Sequence, residues 1–154
     1  MKAIRILTVI IQLGLLIAGL TGFFVPQGMD LLTNSFFIKI PVLADWLPFV
    51  KQGVSVVDNQ YPFIWYGTDW MVFAHILLAI LYIGLYNDPI KNEWLATFGL
   101  ISSAAVFPLA FIMGSVRHIP FVWQLFDCSF GLIAGILFVF IKLNTNKLKN
   151  ANNN

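Results

Sequence analysis

The chain has 154 residues, 59% of them hydrophobic and only 10% charged, whereas a soluble domain carries about 25% charged residues, so a water-soluble globule is excluded. Nine Lys+Arg stand against seven Asp+Glu, a net charge of +2, which offers no basic surface for nucleic acid. A single cysteine, Cys128, rules out an internal disulfide and any CxxC redox or zinc motif.

A membrane-spanning helix needs roughly 20 mostly apolar residues. Four stretches qualify, at residues 4–25, 70–86, 94–113 and 121–141. The expected fold is therefore an all-α integral membrane protein, a four-transmembrane-helix bundle, with residues 1–143 forming a single membrane domain.

The first stretch opens on MKAIR, which resembles the charged start of a signal peptide. Its apolar run exceeds the roughly 7–15 residues of such signals and no small-x-small cleavage site follows, so an uncleaved anchor is expected. Gly14, Ala18 and Gly22 recur at four-residue spacing, the kind of small-residue stripe that lets membrane helices approach closely. Pro26 reads as its stop.

Residues 26–69 form the one long connection. A loop of that length without structure of its own is unusual, yet this one is too small and too apolar to fold alone. Phe36, Phe37, Trp46, Phe49, Phe63, Trp65 and Tyr66 are costly to leave in water. Short helices are expected near residues 30–37 and 42–51, lying on the bilayer surface or capping the bundle as a lid; a plain interfacial belt of aromatics is the alternative.

The second stretch begins near Asp69, a carboxylate that the helix dipole favours in a first turn, with Thr68 as a possible cap. It ends at Asn87-Asp88-Pro89, a turn signal. His75, Ala79, Tyr82 and Tyr86 form one helical stripe on it. In the third stretch Pro108 frees a backbone carbonyl and predicts a kink, with Ser102 and Ser103 nearby as hydroxyl donors. Gly114-Ser115 closes it, and Arg117 and His118 occupy the short hairpin before Pro120, which suits the first turn of the fourth helix.

The fourth stretch carries Gln124, Asp127, Gly131 and Ala134 along one stripe, with Gly131 and Gly135 as a GxxxG pair. Gly14 and Gly131 each lie about 16 Å from the outer helix ends at the helical rise, so the first and fourth helices are expected to pack antiparallel through their glycines. Trp70, Trp94 and Trp123 fall near span ends, where tryptophan anchors helices at the interface. The polar residues 144–154 lack apolar periodicity and read as an unstructured tail.

Lysine and arginine placement orients the chain. Lys2, Arg5, Lys91, Lys142, Lys147 and Lys149 fall on one side; Lys39, Lys51 and Arg117 fall on the other. The positive-inside rule then puts both termini in the cytoplasm and residues 26–69 outside. A cell membrane is the expected location, and the absence of an Asn-x-Ser/Thr sequon is compatible with a bacterial inner membrane.

Ionisable groups inside a span cost on the order of 2.5–3.5 kcal/mol at a helix centre and face the bundle interior or a cavity. Asp69, His75, Arg117, Gln124 and Asp127 form the candidate polar site, all in the outer half. His75 lies about 9 Å deep and Asp127 about 10 Å deep by the helical rise, so the two are expected to meet at one level, with Arg117 reaching down to Asp127 or across to Asp69. Such a cluster either fixes helix register by pairing its own charges or forms an outward pocket that binds a ligand or handles protons.

No GxSxG, HExxH, P-loop or dinucleotide fingerprint occurs, so no catalytic residue is assigned and an enzyme is disfavoured. Haem is disfavoured too: His75 alone is embedded, His118 lies about 9 Å higher, and only a dimer supplying His75 twice would ligate one iron. A catalytic zinc normally takes three protein ligands, so no metal and no cofactor is expected. The reading adopted is a non-catalytic membrane component, whether accessory, assembly or small-ligand-binding. A proton-coupled or small-solute carrier acting as an oligomer through Asp127, His75 and Arg117 is the alternative. The expected partners are the lipid bilayer, further copies of the chain or other membrane subunits.

Overall fold

The computed structural model describes residues 1–152, which are almost entirely helical, with no strand among them. Seven α-helices follow in order: α1 (Lys2–Leu20), α2 (Val25–Thr33), α3 (Pro41–Gln60), α4 (Trp65–Leu81), α5 (Ile83–Asn87), α6 (Glu93–Val116) and α7 (Phe121–Asn152). Short 3-10 turns at Thr21–Phe24, Phe36–Lys39 and Pro62–Ile64 join neighbours. Four helical stretches are long and apolar enough to cross a membrane: Lys2–Thr33, Pro62–Asn87, Glu93–Val116 and Phe121–Asn152. Only 22–28% of their most apolar windows is buried, so most of their apolar side chains face outward. That inversion of the soluble pattern is what a bilayer requires, and it makes the chain a multi-pass membrane protein.

Proline acts here as a starter. Pro26 was expected to end the first span, but the helix loosens into 3-10 geometry at Thr21–Phe24 and restarts at Val25 with Pro26 in the first turn of α2. A first-turn proline lacks only an N–H that has no helical partner anyway. Pro41 opens α3 in the same way. The segment 26–69 therefore holds more helix than expected, α3 alone running 20 residues.

Internal contacts divide the chain into two compact units, Met1–Gly14 with Leu78–Asn154, and Leu15–Leu77. In the first, α6 and α7 pack along their length. Pairs step down the two helices in opposite order: Gly114 on Gln124, Ser103 and Val106 on Gly131, Gly99 on Phe138, then Thr97 accepting from Lys142 Nζ at 3.0 Å and Glu93 paired with Lys149. This register makes α7 continue to Asn152. The expected unstructured tail is helical as far as it is described, with Thr145 fully buried; residues 153–154 lie outside the described residues. Gln12 Nε2 donates to the Ala79 carbonyl at 2.9 Å, and Arg5 both donates to the Tyr86 carbonyl and stacks over its ring. Asn92 closes the α5–α6 turn, donating to the carbonyls of Gly84 and Asp88.

In the second unit, α1 approaches α4 at Gly19, and the 3-10 turn that follows it approaches α4 at Gly22. A Cβ on Gly19 would lie 2.6 Å from His75 Cβ, and one on Gly22 would lie 2.7 Å from Val72 Cγ2. Gly14 meets nothing within 4 Å and Ala18 is exposed, so the predicted Gly14–Ala18–Gly22 stripe is shifted. The cause is the helical period. Each four-residue step overshoots a full turn by about 40°, and residues 19 and 22 bracket the contact line while residue 14 has rotated off it. Gly131 is tightly packed, but against α6, and Gly135 has only Ser103 Cβ at 3.5 Å. Leu43 and Leu47 of α3 are buried within this unit, as is Met29 of α2, and Lys51 is paired with Asp30 at 2.7 Å.

Candidate functional site

The hairpin between α6 and α7 follows from helix-end chemistry. Four carbonyls at a helix C-terminus lack intrahelical donors. Here Ile119 N–H donates to Gly114 O at 2.8 Å and His118 N–H to Ser115 O at 3.2 Å, the paired closure of a Schellman motif. The motif needs a left-handed residue, and His118 fills it with φ 55°, a position glycine usually takes. Gln124, buried on α7, then donates its Nε2 to the Ile119 carbonyl at 2.8 Å. Gly114 makes room for it, since a Cβ there would lie 2.7 Å from Gln124 Cδ.

Gln124 is thus committed to locking the hairpin. Arg117 is exposed and its side chain forms no hydrogen bond or ion pair among the described residues, so the predicted bridge from Arg117 to Asp127 is not formed. Asp127 is half-buried on the same stripe as Gln124 and Gly131, and it too forms no hydrogen bond or ion pair among the described residues. His118 is exposed and serves the turn.

In the second unit, His75 Nδ1 lies 2.8 Å from the Met71 carbonyl one turn earlier. A carbonyl only accepts, so Nδ1 carries the proton and Nε2 is the open ring nitrogen. Gly19 lets α1 press against this histidine. Asp69 is the fifth residue of α4 rather than a first-turn carboxylate, because the helix begins earlier, at Trp65. It lines a small polar recess of about 140 Å³ with Asp58, Trp65, Gln27 and Gly22. Trp65 Nε1 donates to Asp58 Oδ1 at 3.1 Å, bracing the α3–α4 corner. No basic side chain lines this recess, so its two carboxylates make it suited to a water or a small cation.

Asp58, Trp65 and Gln27 were not among the candidates read from sequence. The available signal was their placement around prolines: Asp58 and Trp65 flank Pro62 by a few residues, and Gln27 follows Pro26. Asp69 and His75 belong to one compact unit, and Arg117, Gln124 and Asp127 to the other. No group of three His, Cys, Asp or Glu side chains gathers at metal-binding distance among the described residues.

Embedded hydroxyls are satisfied locally. Thr8 donates to Ile4 O, Ser103 to Gly99 O and Thr145 to Ile141 O, at 2.7–2.9 Å, the back-bonding open to Ser and Thr in helices. Ser103 is therefore not spent on the carbonyl that Pro108 frees. Every buried side-chain nitrogen and oxygen among the described residues has a hydrogen-bond partner. Comparison of the chain with protein-family models, curated proteins and solved structures finds no match.

Proposed function

We propose that the chain is a non-catalytic component of a cell membrane, a bacterial inner membrane, acting as an accessory, assembly or small-ligand-binding subunit with both termini cytoplasmic. One observation carries this reading: the buried polar side chains are spent on the chain's own backbone. Gln124 binds the Ile119 carbonyl, Thr8, Ser103 and Thr145 bind their own helices, and half-buried Gln12 binds the Ala79 carbonyl. A transport path or reaction centre keeps polar groups free for its cargo; here Gln12 ties α1 to α4, Gln124 closes the α6–α7 hairpin and the three hydroxyls are spent within their own helices. The recess beside Asp69 is the natural place for a small ligand.

Asp127 favours a second reading. An intramembrane carboxylate usually has a partner, and Asp127 has none among the described residues, which suits a proton-coupled or small-solute carrier. Purification in mild detergent, with identification of co-purifying chains and lipids, separates the two when combined with proteoliposome assays. A co-purifying subunit and no proton flux are expected. Proton or solute flux abolished in a folded Asp127→Asn variant would replace this reading with the carrier. A Soret band lost in His75→Ala would replace it with a haem protein.

A further inference from the structure

At one end of the first unit the charges do not balance. Gln12 on the Ala79 carbonyl and Arg5 on the Tyr86 carbonyl step along α1 and the end of α4 with α5 in opposite order, so these elements run antiparallel. The rings of Tyr82 and Phe138, 5.2 Å apart, set α7 beside them. Four residues further on, Tyr86 and Lys142 each lie about 6 Å lower at the helical rise. Arg5 and Lys142 thus stand at one level, where the apolar run of α7 stops at Ile141. Lys2 and Lys147 lie about 5 Å and about 8 Å beyond it by the same rise.

Six cations, Lys2, Arg5, Lys91, Lys142, Lys147 and Lys149, belong to this end against two carboxylates, Asp88 and Glu93. Both carboxylates are already taken, Asp88 by Lys91 at 3.7 Å and Glu93 by Lys149. Asp127 is some 22 Å away along α7. Lys2, Arg5, Lys142 and Lys147 therefore have no counter-charge among the described residues. Arg5 spends a single N–H on the Tyr86 carbonyl and lays its guanidinium over that ring, 5.2 Å from the centroid. Lys142 donates to the Thr97 hydroxyl at 3.0 Å. Each is positioned by a neutral partner and keeps its other donors open.

We infer that this end of the first unit binds the phosphate groups of anionic phospholipids, with Arg5 and Lys142 at the edge of the hydrocarbon and Lys2 and Lys147 in the head-group layer beyond. That layer is roughly 5–8 Å deep on each side of a bilayer, which matches the spread of the four cations. Basic side chains at the end of a span attract anionic lipids, and a positioned guanidinium suits a phosphate. Level selects lipid over a soluble partner, because the height at which the apolar run of a spanning helix ends is the height of the head groups themselves. Only a chain that spans a bilayer is required, so the site serves a subunit and a carrier alike, on either side of the membrane.

The test takes the full chain in a neutral detergent, offers it equal amounts of phosphatidylglycerol and phosphatidylcholine with matched acyl chains, and counts the bound lipids by native mass spectrometry. Phosphatidylglycerol should be favoured by about tenfold, and added salt should erode that preference. Arg5→Gln/Lys142→Gln, which keeps an amide donor for the Tyr86 carbonyl and for Thr97, should bring the two lipids to near-equal occupancy. Lys39→Gln/Arg117→Gln, which removes the same charge elsewhere in the chain, should leave the preference in place. Equal occupancy in the unsubstituted chain, or the same loss in both double variants, would overturn the inference. Excess inorganic phosphate should not displace the bound lipid; displacement would make the ligand a free phosphate anion and refute the lipid assignment.

Discussion

Gly131 occupies a point where a methyl group has no room: a Cβ there would lie 2.9 Å from the Ser103 carbonyl oxygen and from Val106 Cβ. Backbone cannot step aside as a flexible side chain can. Gly131→Ala should therefore destabilise the α6–α7 pair by ~1–3 kcal/mol, the usual cost of overpacking, whereas Gly135→Ala, with its nearest neighbour at 3.5 Å, should be nearly neutral. Thermal melting of the two variants in one detergent checks this; equal losses would refute the contact. His118 offers the opposite case. A non-glycine residue in the left-handed region costs roughly 1–2 kcal/mol, partly offset by the ~0.5–1 kcal/mol entropic cost of glycine, so His118→Gly should raise stability by up to ~1 kcal/mol. A drop in melting temperature would mean that the imidazole contributes more than the turn. Much at this scale was legible from periodicity, which placed Gln124 and Gly131 on the packed face of α7. What it missed was Gly19, because four-residue spacing drew attention to Gly14 while the contact line drifts with the true helical period.

Among the elements, α7 departs furthest from its sequence signature. The apolar run stops near Ile141, and the Asn- and Lys-rich residues beyond it carry no hydrophobic alternation. Yet Phe138, Ile141 and Thr145 continue one buried line, and Lys142 and Lys149 reach Thr97 and Glu93 across the pair. Polar residues that hold a helix by specific partners look the same in composition as solvated ones, so this extension was not readable. Truncation after Leu143 should lower detergent stability clearly, since it removes buried Thr145 together with the Glu93 pairing. Lys149→Met alone should cost no more than ~1 kcal/mol, as for other partly exposed ion pairs. Melting curves of both variants decide the matter: similar losses would mean that the pair, and not the helix contact, holds the extension. Pro26 misled in the other direction, since a residue that forbids continuation also suits a beginning, and here it sits in the first turn of α2.

For the whole molecule, composition and four apolar runs were enough to read a four-span all-α membrane protein, because hydrocarbon admits so few solutions for a bare backbone. The proposed orientation has its own check in intact cells. In a Cys128→Ala background, a cysteine at Gln52 should react with a membrane-impermeant maleimide, and one at Lys91 should react only after lysis; the reverse pattern would invert the topology. The candidate site was less legible than the fold. Residue types suggest which groups are costly to embed, but not which backbone carbonyl each will find, and Gln124 and His75 both spend themselves locally. The helix α7 also matters for how the molecule can be handled. Its 32 residues span about 48 Å, against a hydrocarbon core of about 30 Å, so its last turns stand clear of the lipid while still clamped to α6. A helical fusion continued in phase from Asn150 would inherit that clamp and serve as a fixed-angle fiducial for particle alignment, which is hard to obtain on a small protein otherwise hidden in its micelle.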